Sequence, residues 1–217
     1  MPNTAIFDAI REENLERVKE LIARDASCAA ARNDGGVSAV LWALYHRRAD
    51  MVAVLQAAKP SLDLFEACAL GDAKRVGECL AQDPSSLVEF SPDGYFPLGL
   101  ACFFGRREVV SLLLERGADI HTAARNPMKV QSLHAAAAAD DAEICRWLLD
   151  RGADPNARQQ MGWTPFQQAV HKKNADLVRL MLAHGADPRQ PNDEGKTALD
   201  LAVAENAGEI RKLLEAK

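Results

Sequence analysis

Apolar residues fall along the chain in short paired runs. From Asp93 onward, PLGLACFF is followed by a break at Gly105. A second run, EVVSLLLERGAD, then holds Val109, Val110, Leu112, Leu113 and Leu114 at helical spacing. The pattern returns from Gln131, Gly162 and Glu194, with breaks at Asp140, Lys173 and Asn206. Each copy predicts helix, turn, helix. Thr164-Pro165 suits a helix start, because Thr caps free N–H groups and Pro fits the first turn. Gly117, Gly152 and Gly185 stand where a helix end favours a left-handed residue. Turn signals at Pro92-Asp93-Gly94, Met161-Gly162 and Asp193-Glu194-Gly195 separate the copies, so an extended finger follows each helix pair.

A small residue marks the first run of every copy. Ala101, Ala136, Ala169 and Ala202 repeat at 33–35 residues, and weaker copies anchor on Ala9, Ala43 and Ala67. That makes seven units, approximately 1–32, 33–60, 61–90, 91–125, 126–158, 159–190 and 191–217, in a single domain over 1–217. One unit cannot bury both its apolar faces, so neighbours stack. Thr164-Pro165-Phe166 with Ala169, Phe96-Pro97-Leu98 with Ala101, Ser132-Leu133-His134 with Ala136, Thr197-Ala198-Leu199 with Ala202, and Gly152-Ala153-Asp154-Pro155-Asn156-Ala157 resemble the ankyrin repeat. The resemblance implies an all-α solenoid of helix-turn-helix units with β-turn fingers and polar terminal caps. It further implies a partner bound on the concave side, by finger tips and first-helix ends.

Two departures interrupt the register. Ala43 and Ala67 are only 24 residues apart, and Lys59-Pro60-Ser61 runs straight into the next helix. The finger between units two and three is therefore expected to be missing, with a gap or kink in the finger row near Pro60. Units one and two match units three and four at a constant offset of 58 (Phe7 with Phe65, Gly36 with Gly94), which reads as duplication of a two-unit block. In addition, the connection His121–Val130 is about two residues long for its place, so the fifth finger is expected to protrude.

Composition narrows the function class. The 217 residues are 48% hydrophobic but only 6% aromatic, so the cores are thin and built mainly from Ala, Leu and Val. A net charge of −5 gives no electrostatic reason to bind nucleic acid. No run approaches the ~20 apolar residues of a membrane span, and the first residues lack the basic and unbroken apolar regions of a signal peptide. A cytoplasmic protein without membrane partner is expected, and five scattered Cys fit reduced thiols. Polar residues on the first unit (Arg11, Glu12, Glu13, Glu16, Arg17, Lys19, Glu20) and the last (Glu205, Glu209, Arg211, Lys212, Glu215, Lys217) read as caps of a complete domain.

Catalytic chemistry finds no foothold. A site needs nucleophile, base and orienting group to converge, whereas His46, His121, His134, His171 and His184 are dispersed and show no zinc spacing. The resemblance implies that the His134 imidazole bonds the finger backbone. Cys68, Cys79, Cys102 and Cys145 fall on apolar helix positions, while Cys28 lies in a loop and is expected to be accessible. No glycine-rich phosphate loop is present. No catalytic residue, cofactor or metal is expected.

The binding candidates are large side chains where the repeat leaves room for contact. Val37, Tyr95, Val130, Trp163 and Lys196 follow the finger turns, and Tyr45-His46, Phe103-Phe104 and His171-Lys172 end first helices. Tyr45, His46, Tyr95, Phe103, Phe104, Trp163, His171 and Lys172 are thus the expected partner-binding residues. Five of the twelve aromatics fall in this set, the composition of a binding hot spot. The competing reading has Phe103 and Phe104 filling space beside Ala69, Ala138 and Ala139, or covering the kink. A monomeric, non-catalytic protein-binding module is the expected function. Self-association as a homodimer through the same aromatic patch is the alternative.

Overall fold

The computed structural model describes residues 2–59 and 61–216. Among them fourteen α-helices form seven consecutive pairs. These are α1 (Pro2–Arg11) with α2 (Leu15–Arg24), α3 (Ala39–Tyr45) with α4 (Ala49–Ala58), α5 (Leu64–Leu70) with α6 (Ala73–Gln82), and α7 (Pro97–Phe103) with α8 (Arg107–Glu115). The remaining pairs are α9 (Ser132–Ala138) with α10 (Ala142–Leu149), α11 (Pro165–His171) with α12 (Ala175–Ala183), and α13 (Ala198–Ala204) with α14 (Gly208–Glu215). First helices pack on one another from α1 to α13, giving the expected all-helical solenoid. None of the described helices is long and apolar enough to cross a membrane.

One device sets the register of every pair. The turn between its helices holds a single left-handed residue: Glu13, Arg47, Gly71, Gly105, Asp140, Lys173 and Asn206. The amide after it donates back to the carbonyl of an anchor alanine, as in Arg48 N to Ala43 O (2.9 Å), Arg106 N to Ala101 O (2.8 Å) and Asn174 N to Ala169 O (3.2 Å). The anchors Ala9, Ala43, Ala67, Ala101, Ala136, Ala169 and Ala202 are all buried, on first helices that pack on one another. Thr164 caps α11 as expected, and Thr164 and Thr197 close reciprocal caps with Gln167 and Asp200.

The core is divided. One apolar cluster runs from Ile6 to Leu55 and a second from Leu64 to Leu214. Between them lies a small third set, in which Val37 and Leu41 meet Ala69. The boundary is the shortened joint, where α4 ends at Ala58 and α5 begins at Leu64. Pro60 itself lies outside the described residues. Instead of a finger, the joint holds a buried ion pair, with Lys59 Nζ 2.5 Å from both Glu66 carboxylate oxygens.

The expected gap in the finger row does not occur. Finger two closes directly on finger four: a Cβ at Gly36, which has φ +77°, would lie 2.7 Å from Pro92 Cβ. Later fingers are tied by backbone bonds, from Arg125 N to Gly94 O (2.8 Å), Gln160 N to Met128 O (2.9 Å) and Asp193 N to Met161 O (3.0 Å). Charged residues occupy both outer faces of the stack, with Glu12, Glu16 and Lys19 exposed at one end and Glu209, Arg211 and Lys212 at the other.

Candidate partner-binding groove

The missing third finger brings side chains of unit two against unit four. Tyr45, the last residue of α3, reaches over and donates its hydroxyl to Asp93 Oδ2 at 2.7 Å. Ser91 Oγ donates to the other carboxylate oxygen at 2.6 Å and fixes that acceptor. Phe104 stacks on Tyr45 with ring centroids 6.1 Å apart and planes 19° apart, and Tyr95 lies 6.4 Å from the same ring. Burial and the Asp93 carboxylate both push the Tyr45 phenol far above its ordinary value, so it stays a donor.

These rings flank a groove of about 430 Å³. Tyr45, Val37 and Trp42 form one side. Tyr95, Leu100, Phe103, Met128 and Val130 form the other, with Ala135 and Ala138 also lining it and Gln159 and Gln168 supplying amides. Small residues keep it open. Gly99 stands where later units carry His134, Gln167 or Asp200, and a Cβ there would meet the Phe96 ring at 2.9 Å. Phe103 is 49% exposed, a high value for a large apolar side chain, and Met128 is exposed beside it.

The eight residues singled out in the sequence separate into groups. Tyr45, Tyr95 and Phe103 line the groove. Phe104 is half-buried behind Tyr45, so it serves packing at the seam as well as the surface. His46 packs on Trp42, ring centroids 4.6 Å apart, with Nδ1 2.9 Å from the Trp42 carbonyl oxygen. Trp163, His171 and Lys172 make a separate set. Trp163 meets the His171 ring edge-on at 5.8 Å, His171 Nδ1 lies 2.9 Å from Glu205 Oε1, and Lys172 is exposed. Met128 was not among the eight. Its signal was the long fifth finger, which carries it to the Tyr95 hydroxyl, 3.3 Å from its sulfur. Trp42 also lines the groove, and its buried indole Nε1 has no hydrogen-bond partner.

The titratable groups are committed to structure. His134 Nε2 lies 3.0 Å from the Ala157 carbonyl oxygen, and burial lowers its pKa to about 4, so it is neutral at physiological pH. Burial pushes the Cys68, Cys102 and Cys145 thiols up. Cys28 corrects the sequence reading: it lies in the 3₁₀ turn Ala26–Ala30 and is 1% exposed, because the turn folds its thiol inward. Among the described residues no three His, Cys, Asp or Glu side chains are grouped to hold a metal ion.

Comparison with known proteins agrees with this architecture. A family model described as "Ankyrin repeats (3 copies)" matches residues 133–217, and a single "Ankyrin repeat" model matches 93–122. The chain is 34% identical over 110 residues to the ankyrin repeat and SAM domain-containing protein 6 of Rattus norvegicus, which covers 48% of this chain and 12% of that protein. It is 52% identical over 60 residues to the ankyrin repeat and KH domain-containing protein 1 of Homo sapiens, 28% of this chain and 2% of that protein. Against the human protein phosphatase 1 regulatory subunit 27 it is 35% identical over 95 residues, 44% of this chain and 60% of that protein. The matched stretch is thus a small part of the first two relatives.

Proposed function

The chain belongs to the ankyrin-repeat family, and on that premise we propose that it is a non-catalytic, cytoplasmic module that binds another protein in the groove between fingers two and four. The observation that carries this reading is the groove itself, about 430 Å³ and lined by Tyr45, Tyr95, Phe103 and Met128. That volume lies within the range of sites that enclose a ligand. Aromatic residues and Met are the side chains enriched at interface centres. Phe104 and His46 brace the rim, and Trp163, His171 and Lys172 extend the contact toward the sixth unit. The relative named as a phosphatase regulatory subunit supports a role exerted on another protein. Nucleic acid is not a partner in this reading, since the net charge of −5 opposes it.

The test uses a displayed peptide library selected on the immobilised full chain. Enriched sequences should share a bulky apolar anchor and lose at least tenfold in affinity for Phe103→Asp. Peptides that bind wild type and variant equally would place the interaction elsewhere. Sedimentation velocity checks the competing homodimer: a concentration-independent monomer is expected, and a dimer that Phe103→Asp dissociates would assign the patch to self-association.

A further inference from the structure

The groove straddles a seam, and the seam is weakly joined. Residues 6–55 and 64–214 have separate buried clusters, and the fully buried apolar contact between them is the small set Val37, Leu41 and Ala69. The backbone tie between fingers is also lost there for a covalent reason. Gln160 and Asp193, each two residues before a turn glycine, donate their amides to the preceding finger. The residue two before Gly94 is Pro92, which has no N–H to give. What spans the seam instead is side-chain chemistry: the buried Lys59–Glu66 ion pair at the joint itself and, away from it, the Tyr45 hydroxyl on Asp93 at 2.7 Å, the Phe104 ring on Tyr45, and an exposed Arg32–Asp63 ion pair at 2.6 Å.

We infer that the chain hinges between its two blocks, residues 6–55 and 64–214, and that the Tyr45–Asp93 hydrogen bond is the catch that holds the groove closed to its present width. One wall of the groove, Val37, Trp42 and Tyr45, moves with the N-terminal block. The opposite wall, with Tyr95 and Phe103, moves with the C-terminal block. The inference stands whether or not the groove takes a protein partner, because it concerns how the two blocks separate.

Hydrogen exchange read by mass spectrometry on the full chain tests it with Tyr45→Phe, which removes the hydroxyl and keeps the ring. A hydrogen bond to a charged group holds about 1.5–3 kcal/mol, so amides in 37–45 and 64–70 should exchange roughly ten- to a hundredfold faster. Amides in α9–α12 should be unchanged. Acceleration spread evenly over the chain, or none at the seam, overturns the hinge. Urea unfolding gives a second readout, with Trp42 alone (Trp147→Phe/Trp163→Phe) against Trp147 and Trp163 (Trp42→Phe). In the Tyr45→Phe background the Trp42 transition should come at lower urea. Coincident transitions there would show one cooperative unit and refute the inference.

Discussion

Lys59 and Glu66 form an ion pair in the interior of the shortened joint, 2.5 Å apart, with side chains 9% and 0% exposed. Glu66 also accepts the Asp63 amide at 2.9 Å, while Asp63, the N-cap of α5, accepts the Glu66 amide in return. Removing one partner leaves the other charge buried without compensation. Lys59→Met keeps the aliphatic stem and should cost about 3 kcal/mol in urea unfolding. The pair Lys59→Met/Glu66→Gln removes both charges and keeps the amide bond, so most of that loss should return. A loss below about 1 kcal/mol for the single variant would mean that water reaches the pair.

His134 gives a pH dependence whose sign is fixed. Its pKa falls from 6.5 to about 4 because burial disfavours the imidazolium. The unfolded chain therefore takes up the proton first as pH falls. Stability from this group is complete above pH 6.5 and is lost progressively down to about pH 4, by roughly 3 kcal/mol at 1.36 kcal/mol per pKa unit. The next unit supplies the control, since Gln167 uses its amide Nε2 on the Gln190 carbonyl at 3.0 Å. His134→Gln should keep a donor for the Ala157 carbonyl and flatten the stability profile between pH 6.5 and 4. An unchanged slope in denaturant titrations would assign the acid sensitivity to other groups.

Much of this was legible in the chain because the helix pair is a local device. Anchor alanine, left-handed residue and returning amide lie within six residues, so even the weak copies at Ala9, Ala43 and Ala67 could be placed. The short joint was legible from the 24-residue spacing for the same reason. What closes over it was not. The contacts of Gly36 with Pro92 and of Tyr45 with Asp93 join residues about fifty positions apart, and no periodicity encodes them. The aromatic candidates were found by position alone. Which of them share a groove depended on that long-range closure, and it separated Tyr45, Tyr95 and Phe103 from Trp163 and His171.

Thiol chemistry should distinguish one cysteine from four. Cys28, Cys68, Cys102 and Cys145 are at most 1% exposed, while Cys79 on α6 is partly accessible. Burial raises the Cys79 thiol as well, so little thiolate is present at neutral pH. Titration of the native chain with an aromatic disulfide reagent should give one reacting equivalent, faster as pH rises, and four more only in denaturant. Cys79→Ser should abolish the native equivalent. Rapid reaction of a second thiol would contradict the inward placement of Cys28.

The left-handed turns offer a stabilising change. Arg47 has φ +58°, a conformation in which its Cβ crowds the backbone at a cost of roughly 1–2 kcal/mol, whereas Gly105 meets the same need 58 residues later without a Cβ. Arg47 is exposed, so little packing is lost on truncation. Arg47→Gly relieves the strain but frees the unfolded chain by about 0.4–1 kcal/mol. A net gain of about 0.5–1 kcal/mol is expected in urea unfolding. The reciprocal Gly105→Ala should lose a similar amount, although an added Cβ would meet nothing closer than Asp141 Oδ2 at 3.8 Å. Space is therefore not the constraint at Gly105, and any loss reports backbone conformation alone. If Arg47→Gly destabilised and Gly105→Ala were neutral, the left-handed geometry of these turns would be wrong.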